Sequence, residues 1–138
     1  MEIKRINEKV SVSGQIQPED VAQIKAAGFV AIVNNRPDGE SADQPAGQAI
    51  EAAAKAAGLA YYSIPLGREG VSPDMVEKTR EALEGSAGPV FCYCRSGTRS
   101  TTLWALSQAG SMPGEEIISA AQGAGYDMSH LAAHLGQK

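Results

Sequence analysis

Cys94, Arg95, Ser96, Gly97, Thr98, Arg99 and Ser100 follow one another, an order that suits a sulfur nucleophile beneath a bound anion. The thiolate is the reactive form of cysteine, and a helix N-terminus with an arginine beside it favours that form. An apolar run, residues 88–93, leads into this segment and a helical pattern follows it. At such a junction the amides of Arg95, Ser96, Gly97, Thr98 and Arg99 can turn into one concavity and hold an anion. Gly97 permits the tight curvature. The Ser100 hydroxyl is expected to donate a hydrogen bond to the sulfur. Cys94, Arg99 and Ser100 are thus the expected catalytic set, with Arg95, Ser96, Gly97 and Thr98 as the anion-binding loop. Cys92 shares a sheet face with Cys94 by alternation, and core packing explains it better than a resolving-thiol role.

The rest of the chain must position that loop. Residues 10–16 alternate apolar and polar as a half-buried strand does, and Gln17-Pro18-Glu19-Asp20 opens a helix carrying Val21, Ile24 and Ala27 to Gly28. Residues 29–33, 60–64 and 88–93 read as strands, the first and last buried on both faces. An alanine-rich helix spans 45–57, and Ser72 caps a helix from Pro73 to about Leu83. A helix runs on from the cysteine loop through Leu106, and 113–121 and 126–135 read as closing helices. Strands alternating with helices imply a mainly parallel α/β sheet of four to five strands, with helices on both faces. Ligands then bind beyond the carboxyl ends of the strands, which gathers the loops 34–39, 66–70 and 94–99.

With 138 residues and 43% apolar content the chain suits a single domain over 1–138. A net charge of −4 disfavours nucleic acid or an anionic membrane as partner, so any anion site must be local. No apolar run reaches the roughly 18 residues of a membrane span, and the first residues lack a signal-peptide pattern, so a cytoplasmic protein is expected. His130 and His134 lie four apart, but with Cys92 and Cys94 they fit zinc spacings poorly. No metal or cofactor is expected. Trp104 reads as core.

The run from Tyr93 to Ser100 resembles the active-site loop of rhodanese-type sulfurtransferases and the cysteine-to-arginine signature of protein tyrosine and dual-specificity phosphatases. With Ser11-Val12-Ser13-Gly14-Gln15, Asn34-Asn35-Arg36-Pro37-Asp38-Gly39-Glu40 and Tyr62-Ser63-Ile64-Pro65-Leu66, the chain is similar to the beta-lactamase-hydrolase-like family of phosphatase-like domains. That resemblance implies a dual-specificity-phosphatase fold. Some members are fused to a metallo-hydrolase domain resembling persulfide dioxygenases, which implies a persulfide-oxidising enzyme as metabolic partner.

The chain departs from the phosphatase pattern. Four residues, not five, separate Cys94 from Arg99; Tyr93 stands where histidine is usual; and the place of the aspartate general acid carries Gly67-Arg68-Glu69. Protonating an alkoxide leaving group contributes about 10²–10⁴-fold, whereas thiosulfate expels sulfite, which leaves without a proton. The leading expectation is therefore sulfur transfer from a small anion, thiosulfate or a persulfide, through a Cys94 persulfide. The alternative is hydrolysis of a phosphate ester through a Cys94 phosphocysteine, and the third is a weakly catalytic anion-binding regulatory domain. Glu69 and Asp38 are the rim carboxylates that an acid role would draw on. Asp38 has a turn-forming reason to follow Pro37, and Glu69 also reads as a solvated loop charge. Arg36 and Arg68 are expected on the rim, as surface arginines more than as ligands of the anion.

Overall fold

The computed structural model describes residues 1–135. Five strands, β1 (Lys4–Arg5), β2 (Val10–Ser13), β3 (Ala31–Asn34), β4 (Ala60–Ser63) and β5 (Val90–Tyr93), form one sheet in the order β1-β2-β5-β3-β4. All neighbours run parallel except β1, which is antiparallel to β2. The helices are α1 (Val21–Ala26), α2 (Gly47–Ala56), α3 (Pro73–Glu84), α4 (Thr98–Ser107) and α5 (Gly114–Gly123). The expected mixed α/β sheet flanked by helices is the fold observed.

Alternation along β5 divides the core into two layers. Phe91 and Tyr93 pack with Ile16, Val21, Ile24 and Ile50 under α1 and α2. Val90 and Cys92 join Leu83, Leu103, Trp104 and Ile117 under α3, α4 and α5. Trp104 is buried as expected.

Several elements differ from the expectation. β2 stops at Ser13 and is buried throughout, its serines included. A strand with partners on both edges and helices over both faces has no solvent side, so its serines do not mark one. β1 is two residues long, too short for any periodicity, yet it covers the free edge of β2. The segment 126–135 forms a 3-10 turn, Ser129–His134, in place of the expected helix. There Asp127 accepts the amide and the hydroxyl of Ser129, at 3.0 and 2.6 Å, a local bond that competes with helical ones. The Ser72 cap forms as expected, accepting the Met75 amide at 3.2 Å.

Register sets up the site. Ser13 pairs with Tyr93, Tyr93 with Asn34 and Asn34 with Ser63, so four parallel strands end level. Gly14, Cys94, Asn35 and Ile64 therefore leave the sheet side by side.

Candidate active site

Two backbones meet where β2 and β5 end. The Cys94 amide donates to Ser13 O at 3.3 Å and the Gln15 amide to Arg95 O at 3.4 Å. A Cβ on Gly14 would lie 2.8 Å from Arg95 O, so no other residue lets the loop come this close. Beyond Cys94 the chain curls over the sulfur, and the Gly97 amide donates to Cys94 Sγ at 3.1 Å. Gly97 has φ +94°, the left-handed region that a Cβ penalises. Its carbonyl then accepts the amide and hydroxyl of Thr101, at 3.0 and 2.8 Å, and α4 begins. The amides of Arg95, Ser96, Thr98 and Arg99 make no hydrogen bond to another backbone group among the described residues. These are the donors that an anion at a helix N-terminus uses.

Cys94 is fully buried. Cys92 is buried in the core, and burial pushes its thiol up to about 12. The Ser100 hydroxyl corrects one expectation: it is buried and has no hydrogen-bond partner among the described residues. The sulfur accepts the Gly97 amide instead, because the loop curls tightly enough to bring it over Sγ. A buried hydroxyl without a partner costs about 1–3 kcal/mol.

Arg99 reaches across the site. Its Nη1 donates to Glu40 Oε2 and to Leu66 O, both at 2.8 Å, and its Nη2 donates to Glu40 Oε1 at 2.8 Å. Guanidinium carries five N–H groups. Both on Nη1 are committed, as is one on Nη2, while Nε–H and the second Nη2–H remain. Those two lie on one edge of the fork and match a tetrahedral anion bidentately. The Cys94 thiol contributes to keeping Arg99 charged, after the larger effect of Glu40, so guanidinium and sulfur share one field.

Glu40 joins two arginines. Arg36 Nε donates to Glu40 Oε1 at 2.9 Å, its Nη1 to Gln15 Oε1 at 3.1 Å and its Nη2 to Ser41 Oγ at 3.3 Å. The hydrogen bond from Arg99, with further help from Arg36, lowers Glu40 to about 2 against the opposing effect of burial. Arg36 is therefore not the surface arginine expected: its side chain is 5% exposed and its charge is spent on Glu40. The Asn34 side chain turns the chain there, accepting the Arg36 amide at 2.9 Å.

The other rim residues separate. Asp38 accepts the Gly47 amide at 2.8 Å and so caps α2, a longer-range contact than the local turn role expected of it. Arg68 and Glu69 are exposed and make no hydrogen bond or ion pair among the described residues. His130 and His134 lie on the 3-10 turn, and no group of three or more metal-ligating side chains occurs among the described residues. Sequence reasoning missed Glu40, Gln15 and Tyr126, whose hydroxyl donates to Ser96 O at 2.9 Å. The four-residue step from Arg36 to Glu40 was a signal, but such spacing suggests a contact only within a helix.

A family model described as beta-lactamase hydrolase-like protein, phosphatase-like domain, matches residues 2–111. A beta-lactamase hydrolase-like protein of Xylella fastidiosa (strain Temecula1) is 34% identical over 137 residues, covering 98% of this chain and 32% of that protein. The chain thus spans about a third of the length of this curated relative. A solved structure of a candidate phosphatase from Neisseria meningitidis Z2491 superposes with a TM-score of 0.83 at 33% identity, covering 98% of this chain and 96% of that one. A Cys-to-Ser form of P. aeruginosa TpbA in complex with phosphotyrosine shares the fold, with a TM-score of 0.66 at 18% identity over 99% of this chain and 84% of that one. The family model and the Neisseria structure back the phosphatase alternative better than the sulfur-transfer expectation, while the likeness to TpbA shows the fold alone.

Proposed function

We propose a function from one premise: the chain belongs to the phosphatase-like domain family of beta-lactamase hydrolase-like proteins. The proposed reaction is hydrolysis of a phosphate monoester through Cys94. The Cys94 thiolate attacks phosphorus, an S–P bond forms, and the P–O bond to the leaving group breaks. The leaving oxygen takes the electron pair and, for a basic alcohol, a proton. Water then displaces the thiolate and releases inorganic phosphate.

The observation that carries this reading is the donor arrangement around Cys94. Arg99 offers one edge of its fork, the amides of Arg95, Ser96, Thr98 and Arg99 have no backbone partner, and the sulfur lies at the base. Donors fixed in advance where charge develops are typically the largest contribution to such a step. Ser100 joins the set as the hydroxyl that has no partner until charge appears near it. Of the rim carboxylates, Glu40 near 2 stays ionised and tied to arginine, and Asp38 caps α2. Glu69 is left as the candidate proton donor, with Arg68 beside it.

A second reading, sulfur transfer from thiosulfate or a persulfide, keeps a specific observation in its favour. No aspartate occurs between Tyr61 and Val71, and the loop from Cys94 to Arg99 is one residue shorter than the phosphatase pattern. Sulfite needs no proton to leave. In either reading the substrate is a small anion met in the cytoplasm. A persulfide-oxidising enzyme would consume the product of the second.

One paired assay decides. Purified protein is given an aryl phosphate, scored for inorganic phosphate, and separately thiosulfate with cyanide, scored for thiocyanate. Phosphate release that exceeds thiocyanate formation and is lost in Cys94→Ser supports the proposal. Thiocyanate formation alone transfers the site to sulfur chemistry, and silence in both assays leaves the regulatory anion-binding reading. Undiminished turnover by Cys94→Ser would remove the site assignment altogether.

A further inference from the structure

One peptide unit links Cys94 to a residue far outside the cysteine loop. The Tyr126 hydroxyl donates to Ser96 O at 2.9 Å, and the Gly97 amide donates to Cys94 Sγ at 3.1 Å. Ser96 C=O and Gly97 N–H belong to the same planar group. In a trans peptide these two bonds point in opposite directions, and the chain has no cis peptide. A phenol that holds the carbonyl on one side therefore aims the N–H to the other.

Packing leaves the peptide little room to turn. A Cβ on Gly97 would fall 2.1 Å from the Tyr126 hydroxyl oxygen and 2.9 Å from the ring carbon that bears it. The ring itself is largely buried, and Lys4 Nζ stands 5.6 Å from its centroid. Tyr126 also lies past residue 111, where the family match ends.

We propose that Tyr126 is a positioning residue for the nucleophile: its hydroxyl fixes the Ser96–Gly97 peptide so that the Gly97 N–H stabilises the Cys94 thiolate. This rests on the reading of Cys94 as nucleophile, though not on which substrate it attacks. Without the phenol Ser96 O loses its one hydrogen-bond donor among the described residues, and any rotation of the peptide would also turn Ser96 O toward the anion. A carbonyl facing an anionic substrate repels it.

The charged and titratable groups that bear on this sulfur come from three elements. Arg99 approaches from α4, Cys92 from β5, and Tyr126 from the segment before the 3-10 turn. Glu40 reaches the site only through Arg99, while Glu2 and Lys4 act on Tyr126. Replacing the phenol by a phenyl ring leaves all of the others in place.

Tyr126→Phe is the test, because it keeps the ring and removes the donor. The thiolate absorbance near 240 nm is measured against a Cys94→Ser counterpart of the same background, with no substrate present. Followed from low to high pH, the Tyr126→Phe signal should appear at higher pH than the wild-type signal, with the ionisation constant lowered about fivefold, as expected for a weakened hydrogen bond to a charged group. In whichever assay the wild type is active, kcat should fall by a similar factor, and kcat/KM by at least as much because a turned Ser96 carbonyl also weakens substrate binding. An unchanged thiolate signal would overturn the proposal, whether or not the melting temperature drops, since a lower melting temperature alone marks a packing role. A wild type silent toward both phosphate ester and thiosulfate would sink the proposed function while leaving the thiolate measurement able to decide this one.

Discussion

Two loops border the mouth of the site, and they hold their charges in opposite ways. In the loop after β3, residues 35–46, Arg36, Asp38 and Glu40 are all committed: to Gln15, Ser41 and Arg99, and to the start of α2. In the loop after β4, residues 64–72, Arg68 and Glu69 stand exposed without partners among the described residues. That second loop gives the site a backbone oxygen, Leu66 O, which accepts from Arg99 at 2.8 Å. The first loop is thus built to set the angle of a guanidinium, and the second keeps its charges free for whatever approaches. A committed charge has a large effect when removed, because its partner is left uncompensated, while a solvated one has little.

Glu40→Gln should widen that contrast most. The amide keeps the size of the side chain but forfeits the charge that aligns Arg99 and neutralises Arg36. kcat/KM should fall about 100-fold, equivalent to about 2.7 kcal/mol of transition-state stabilisation. The pH dependence of stability should change as well. Glu40 is held at about 2, well below the 4.5 of an ordinary glutamate, so its contribution is fully present above about pH 4.5 and is lost as pH falls toward 2. Urea unfolding of wild type and Glu40→Gln across that window should show a steeper acid loss in the wild type. Parallel curves would mean that the two arginines do not depend on this carboxylate.

Arg36→Met comes next. It leaves Glu40 gripped by Arg99 alone and takes the partner of Gln15 Oε1 away, and the loss should be about 1–3 kcal/mol in urea unfolding with about a tenfold drop in turnover. A stability change without any change in turnover would show that Arg36 holds the loop but does not tune Arg99.

Glu69→Gln should have the smallest effect, within about 0.5 kcal/mol of wild-type stability. On an aryl phosphate with a weakly basic leaving group, turnover should change less than about threefold, since little protonation is needed. On an alkyl phosphate, a loss of about 10²-fold or more would identify Glu69 as the acid, and wild-type turnover on both substrates would dismiss it.

The parts legible in the sequence were those that depend on neighbours along the chain. β5 followed by a glycine-containing turn and a helix is a local statement, and so is the Ser72-Pro73 start of α3. The alternation of strands with helices was enough to bring loops 34–39, 66–70 and 94–99 to one edge of the sheet. What the pattern hid was pairing across the edge. Arg36 reads as any loop arginine until Glu40 is seen bent back onto it, and the bend comes from Asn34, whose side chain accepts the Arg36 amide. Ser100 shows the converse: the hydrogen bond to sulfur expected of its hydroxyl is made instead by the Gly97 amide, which curls over Sγ. Tyr126 was hidden because its segment has helical spacing of apolar residues, and the Asp127 bond to Ser129 that diverts it is a matter of geometry.

Gly14 carries a consequence for anyone reading sequence variation in this family. It has no side chain, touches no reacting atom and sits at the end of a different strand, yet a single methyl group there would collide with the carbonyl of the residue after the nucleophile. A saturation scan scored for turnover would rank it beside Cys94, and a map of tolerated substitutions would draw the boundary of the active centre around a position that contributes only emptiness.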